Sequence, residues 1–263
     1  MNSSKSSDRI VQSVERALKI LEALGDSGGS MSINEISEQV GLHKSTVHRL
    51  LGTLGSKGFV QQEALTMRYK LGVKVLELSN KMLSSLDVWK EALPYMQRLA
   101  NTTGEAIHLA IINDYEVVYI GKVEGTSSIP MYSQIGKRAP VHCTAVGKVI
   151  LSHFAEDDMR YIISKKGLTA KTERTIVDVN QFLNHLEEIR KRGYAIDDEE
   201  HEIGIRCVAA PIRDYRCQVI AALSITGSVN RLSRERISEM ANQVREAANL
   251  ISRRLGCSIE MLN

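Results

Sequence analysis

The chain has 263 residues, 43% of them apolar and 25% charged, with a net charge of +3. Such a chain is long enough for two domains, or one large one, with packed cores. No apolar run approaches the ~20 residues that span a bilayer, which excludes a helical membrane anchor. The opening Met-Asn-Ser-Ser-Lys-Ser-Ser-Asp-Arg lacks the apolar core of a signal peptide and reads as a short disordered tail. Cys143, Cys207, Cys217 and Cys257 form no C-x-x-C pair. With no export signal, reduced thiols and a cytoplasmic location are expected.

In chain order, Val14, Ala17, Leu18 and Leu21, widened by Ile20 and Leu24, predict a first helix over 13–24, followed by the turn-rich 25–30. Ser32 and Glu35 have capping-box spacing, and Ile33, Ile36 and Val40 share one helical face. Gly41 permits the positive φ that ends a helix. Val47, Leu50, Leu51 and Leu54 then form a second apolar stripe, with Lys44, Ser45, Thr46, His48 and Arg49 on the opposite face. Segments 59–63 and 67–71 read as a two-stranded wing, although its tip, Ala64-Leu65-Thr66, lacks an Asn-Gly or Asp-Gly signal.

Two short helices joined by a glycine turn, the second with a cationic outer face, form the helix-turn-helix pattern of DNA-binding proteins. An ordinary helical hairpin with a solvated face would give a similar pattern. The charge distribution favours DNA. Between Gly41 and Leu71 the cations Lys44, Arg49, Lys57, Arg68 and Lys70 face the single acid Glu63. That concentration is the footprint expected of a protein that docks on phosphates.

Residues 72–84 suit a connecting helix and 88–101 a further apolar helix. Strands are predicted at 105–112, 116–122 and 129–135, and short helices at 145–154 and 157–165. A longer helix over 177–192 is closed by Gly193, and strands follow at 194–197, 205–212 and 219–226. Ser233 would cap a closing helix that runs to Leu255. Helices on either side of hairpin-connected strands indicate an α+β fold with a mainly antiparallel sheet. The expected division is a winged helix-turn-helix over 1–71, a linker helix over 72–85 and a larger domain over 86–263.

Several stretches resemble the IclR family of bacterial transcriptional regulators, over nearly the whole chain. They are Val14-Glu-Arg-Ala-Leu-Lys-Ile-Leu21, Lys44-Ser-Thr-Val-His-Arg-Leu-Leu51, Tyr69-Lys-Leu-Gly72, and Gly136-Lys-Arg-Ala-Pro-Val-His-Cys-Thr-Ala-Val-Gly-Lys148. Asp197-Asp-Glu-Glu200, Gly204-Ile-Arg-Cys-Val-Ala-Ala-Pro211 and Ala222-Leu-Ser-Ile225 complete the set. The resemblance implies a ligand-responsive regulator, a repressor of a catabolic operon, with a GAF-like C-terminal effector domain. It also implies a homodimer or homotetramer on a pseudo-palindromic operator in double-stranded DNA. Met131-Tyr-Ser-Gln-Ile-Gly-Lys-Arg138 and Thr172-Glu-Arg-Thr-Ile176 are most similar to the subgroup that responds to sugar acids, such as regulators of 2-keto-3-deoxygluconate and aldonate catabolism.

For DNA, the candidates are Lys44, Ser45, Thr46, His48 and Arg49 in the major groove and Lys57, Arg68 and Lys70 on the backbone. The family pattern places an effector pocket between the helix start at Ala145, Val146 and Gly147 and strands bearing Asp197, Cys207 and Ser224. Thr144 to Gly147 would offer backbone N–H groups to a small carboxylate, and Gly147 would allow close approach. Asp197 and Ser224 could bond hydroxyls, with Thr226 and His142 beside them and Met131 and Tyr132 as an apolar wall. Family members often have Ser-Gly-Ala-Gly where this chain has Thr-Ala-Val-Gly, so Val146 would narrow the site. Cys207 reads equally well as a small buried strand residue, and Asp198, Glu199 and Glu200 as a solvated loop. An enzyme built on His142, Cys143, Asp197 and Cys207 is disfavoured. The spacing matches no closed metal motif, and G-x-S-x-G, P-loop and H-E-x-x-H signatures are absent. No cofactor, metal or membrane partner is expected. A metabolite sensor acting through protein partners is the alternative to a DNA-binding regulator.

Overall fold

The computed structural model describes residues 11–85, 87–126 and 134–258. The chain divides into two compact units, Met1–Ser85 and Leu86–Asn263.

The first unit contains α1 (Gln12–Asp26), α2 (Ile33–Val40), α3 (Lys44–Ser56), β1 (Val60–Gln62), β2 (Tyr69–Leu71) and α4 (Val73–Ser85). The capping box forms: Ser32 N donates to Glu35 Oε2 at 2.6 Å and Glu35 N to Ser32 Oγ at 3.3 Å. Gly41 ends α2 at φ 66°, a left-handed conformation that costs a residue with a Cβ. The core of this unit is Ile20, Ala23, Leu24, Met31, Ile36, Val47, Leu51, Val60 and Tyr69. In α1 the buried stripe is therefore Ile20, Ala23 and Leu24, while Val14 and Leu18 remain 54% and 53% exposed. Strands β1 and β2 pair antiparallel, and Tyr69 also bridges to Met31 on its other side. The wing tip turns without Asn-Gly. Thr66 Oγ1 donates to Glu63 Oε2 at 2.7 Å, Met67 N donates to Glu63 O, and Met67 takes φ 57°.

The second unit opens with α5 (Asp87–Thr103), β3 (Ala106–Asn113), β4 (Glu116–Val123), β5 (Arg138–Ala139), α6 (Ala145–Leu151), α7 (Glu156–Lys166) and α8 (Val179–Arg192). It closes with β6 (Ala195–Asp198), β7 (Ile205–Arg213), β8 (Val219–Ser228) and α9 (Ile237–Arg254). Ser233 precedes a 3-10 turn, Arg234–Arg236, rather than capping the long helix directly. The strand expected at 129–135 falls largely outside the described residues. The strands form one antiparallel sheet in the order β5-β4-β3-β8-β7-β6.

Helices cover both faces of this sheet, so the strands are apolar on both sides. Ala110, Ala195, Ala209 and Ala222 lie against α6, α7 and α8 in one core with Val149, Phe182, Leu186 and Ile189. On the other face, Leu109 lies toward Met96 and Trp89 of α5. Alternation continues along each strand. Two residues beyond each alanine, on the same face, stand His108, Asp197, Cys207 and Ser224.

Lys148 of α6 is fully buried, and its Nζ donates to Ile196 O at 2.6 Å and pairs with the Glu200 carboxylate. Glu200 is thus not part of a solvated loop. Its carbonyl accepts from Thr175 Oγ1 at 2.7 Å, and the Glu199 carbonyl accepts from Thr172 Oγ1 at 2.6 Å. The expectation of reduced thiols also fails for one pair. Cys217, in the β7–β8 turn, is bonded to Cys257 beyond α9, with Cα atoms 5.2 Å apart across 40 residues of sequence.

Removing one partner of a buried ion pair leaves the other charge uncompensated. Lys148→Met should therefore cost about 3–5 kcal/mol in urea unfolding, and adding Glu200→Gln should recover most of that loss. Equal stabilities for wild type and the single variant would refute this account of α6.

Candidate nucleic-acid interface and effector pocket

In α3 the apolar side chains of Val47 and Leu51 are buried, whereas Lys44, Ser45, His48 and Arg49 are exposed and Thr46 is half-buried. Gly52, one turn beyond His48, lies on the same open face. The helix contains no acid. His43 precedes α3, and its Nδ1 lies 3.2 Å from Ser45 Oγ. Lys44, Arg49 and Lys57 are exposed, and among the described residues none has an acidic partner.

The wing cations are placed differently. Arg68 donates from Nε and Nη2 to Ser30 O at 3.2 and 2.8 Å and pairs with Glu35 at 2.8 Å. Its guanidinium thus clamps the wing to the start of α2, which corrects its reading as a backbone-contact residue alone. Lys70 pairs with Glu63 at 3.3 Å. This exposed pair contributes little stability.

In the second unit a half-open cavity lies between the sheet and the start of α6. Thr144, Ala145, Val146, Asp197, Cys207, Ser224 and Thr226 all line it. Strand register explains the convergence: Asp197 pairs with Cys207, Cys207 with Thr226, and Ser224 with His108. Tyr119, opposite Ala110, extends this polar band, and its ring meets His108 edge-on at 5.4 Å.

Two expected residues lie elsewhere. His142 Nε2 is 3.0 Å from Thr169 O, and His142 does not reach the cavity. Gly147 does not serve ligand approach, because a Cβ there would lie 2.4 Å from Val141 O. It lets α6 pack on the preceding segment, and its N–H donates to Thr144 Oγ1 at 3.3 Å. Met131 and Tyr132 lie outside the described residues.

Sequence reading missed His108, Tyr119, Lys137, Arg138, His201 and Glu202, which also line the cavity. His108 carried a usable signal, a polar side chain between Ala106 and Ala110 in an otherwise apolar strand.

Burial sets the charge state of the floor. It lowers the His108 pKa to about 4 and raises that of Asp197 to about 7, the latter against the nearby Lys148 cation and with Glu200 adding to the rise. Asp197 Oδ1 accepts from Glu200 N at 2.8 Å and His201 N at 3.3 Å, so the carboxyl is fixed in place. Burial also raises the Cys143 thiol to about 12 and the Cys207 thiol further. At neutral pH neither thiol is a nucleophile. Among the described residues no cluster of His, Cys, Asp and Glu is arranged to hold a metal. No helix among them is long and apolar enough to cross a membrane.

Comparison with known proteins agrees with this arrangement. Residues 13–64 match the IclR helix-turn-helix domain and residues 80–253 match the C-terminal domain of bacterial IclR transcriptional regulators. The chain is 37% identical over 247 residues to the HTH-type transcriptional regulator XynR of Escherichia coli K12, covering 94% of this chain and 98% of XynR. It is 38% identical over 246 residues to KdgR of the same strain, covering 94% and 93%. The crystal structure of Thermotoga maritima IclR superposes with a TM-score of 0.82 at 35% identity, covering 94% of this chain and all of that one. These relatives are transcriptional regulators rather than enzymes. With a basic helix-turn-helix in one unit and a polar cavity in the other, the chain belongs to the IclR family of bacterial DNA-binding transcriptional regulators.

Proposed function

We propose that the protein is a cytoplasmic repressor of a catabolic operon, released from or held on its operator by a small hydroxylated carboxylate such as a sugar acid. The observation that carries the DNA reading is the outward face of α3, where Lys44, Ser45, His48 and Arg49 are exposed around a buried apolar stripe. In this reading Arg49 takes a guanine bidentately, Ser45, Thr46 and His48 meet base edges or phosphates, and Lys44, Lys57 and Lys70 hold the backbone. Arg68 orients the wing. Val14 and Leu18 of α1 and Val73 and Leu76 of α4 leave apolar side chains exposed. A second copy covering such surfaces supports the homodimer or homotetramer, and two recognition helices then read half-sites of a pseudo-palindrome.

For the effector, the floor of the cavity offers hydrogen bonds from uncharged groups, namely His108, Tyr119, Ser224 and Thr226. The cations Lys137 and Arg138 line its wall. The Arg138 guanidinium is shared with Asn113, Glu116 and Asp114, so Lys137 is the cation assigned to a ligand's carboxylate, with the hydroxyls toward the floor. The resemblance of Thr172 to Ile176 to the sugar-acid-responsive subgroup supports the same class, and that segment latches the loop after Asp197.

Arg49→Ala should weaken specific operator binding by about 1–3 kcal/mol and relax preference at one base pair. Anisotropy titrations with unchanged specific affinity would remove Arg49 from the interface. A thermal-shift screen of the full chain against sugar acids, keto acids and aromatic acids should find a binder, since a ligand specific for the folded state raises the melting temperature by mass action. Ionised Asp197 puts a negative charge in the same cavity as the ligand's carboxylate, and its protonation removes that repulsion. Affinity should therefore rise as pH falls from 8 through about 7 to 6. Asp197→Asn should flatten that dependence, and a slope of the opposite sign would place the carboxylate elsewhere.

A further inference from the structure

We propose that Cys217 and Cys257 form a reversible oxidation site, closed by a hydroperoxide or a small-molecule disulfide, that staples the end of α9 to the β7–β8 hairpin. The two sulfurs are brought together by backbone and side-chain bonds that do not need the covalent link. In the hairpin, Cys217 N donates to Asp214 O at 2.8 Å, and Asp214 Oδ1 accepts from Arg216 N at 2.9 Å and Gln218 N at 3.0 Å. At the helix end, Cys257 N donates to Ser252 O at 2.9 Å. Ser252 ties the two pieces together, because its Oγ accepts from Arg213 N at 2.9 Å and donates to Ala248 O at 2.7 Å. The Cα atoms of Cys217 and Cys257 stand 5.2 Å apart, within the range a disulfide requires.

The four cysteines fall into two classes. Cys143 and Cys207 sit beside the effector cavity, and burial holds both thiols far above neutral pH. Cys217 is half-exposed at a turn between exposed Arg216 and Gln218, and the Arg213 guanidinium donates to its carbonyl at 3.2 Å. Thiolates are the form that reacts, and the accessible sulfur of the pair is that of Cys217. Cys257 is buried beside it and serves as the resolving thiol. In a reducing cytoplasm such a pair is a transient redox element rather than a permanent brace.

The chemistry balances with hydrogen peroxide as oxidant. The Cys217 thiolate attacks one peroxide oxygen, the O–O bond breaks, and water departs to leave a sulfenic acid. The Cys257 thiolate then attacks that sulfur, the S–O bond breaks, and the hydroxide leaves as a second water. Two thiols and one peroxide become one disulfide and two waters, with two electrons passing from sulfur to oxygen. Reopening is thiol–disulfide exchange, begun at the accessible Cys217 sulfur with Cys257 as the leaving thiol.

The test uses the full chain, reduced with dithiothreitol, desalted and treated with equimolar hydrogen peroxide. Iodoacetamide labelling and peptide mass spectrometry then locate the free thiols. Labelling at Cys217 and Cys257 should disappear, a single linked peptide should join them, and dithiothreitol without denaturant should restore both labels. The oxidised form should melt about 5–10 °C above the reduced form, whereas Cys217→Ser should melt at one temperature under both conditions. Persistent labelling of both cysteines after peroxide, conversion to sulfinic acid without a linked peptide, or a link that native dithiothreitol leaves closed would each overturn the proposal. Equal melting temperatures would overturn the stapling. The mapping is done on wild-type protein, so it stands even if the serine variant does not fold.

Discussion

The geometry of the larger unit depends on one buried ammonium group. Lys148 lies in α6, surrounded by Val149, Ile150 and Leu151 in a helix with no exposed residue. An unpaired charge there would not be tolerated, because desolvation costs several kcal/mol per ion. The Glu200 carboxylate and the Ile196 carbonyl meet it, which fixes the chain on both sides of Asp197. Asp197 in turn accepts from Glu200 N and His201 N, and Thr172 and Thr175 hold the carbonyls of residues 199 and 200. Three elements remote in sequence are thus tied at one point, and the wall of the cavity that carries His201 and Glu202 follows from it.

The smaller unit rests on a comparable but more exposed junction. Glu35 closes the capping box at the start of α2 and also meets Arg68 from the wing. Because Arg68 bonds Ser30 O as well, the wing, the turn after α1 and the first residue of α2 are held together. Tyr69 adds backbone bonds to Met31 in both directions. Fixing α2 in this way fixes the Gly41 turn, and with it the face that α3 presents to solvent.

Which features were legible from sequence follows from the range of the interactions that make them. The capping box, the Gly41 turn and the stripe Val47 to Leu54 are set by residues three or four apart, so spacing revealed them. Asp197, Cys207 and Ser224 were placed together only by the family resemblance, and the strand register explains their common face. Arg68 and Ser30 are 38 residues apart, Lys148 and Glu200 are 52 apart, and Cys217 and Cys257 are 40 apart. Each of these pairings is decided by tertiary packing and leaves no local pattern. Glu200 therefore read as solvated, and the cysteines read as unrelated thiols. Gly147 was read as a close approach for a ligand, whereas the close approach is to Val141.

The cavity also shows why a collection of His, Cys and Asp side chains need not be an active site. A nucleophile requires a thiolate at working pH or a base poised to make one. Cys143 lies 3.6 Å from His201 Nδ1, near enough to suggest such a pair. Yet burial lowers the His201 pKa, and the Asp197 and Glu200 carboxylates add to the rise in Cys143. Every local influence except the Lys148 and Lys171 cations opposes the thiolate. The same burial leaves His108 neutral at physiological pH and keeps much of Asp197 protonated. The result is a floor of mainly uncharged donors and acceptors held in fixed register by a sheet, beside two thiols that are not in their reactive form at neutral pH.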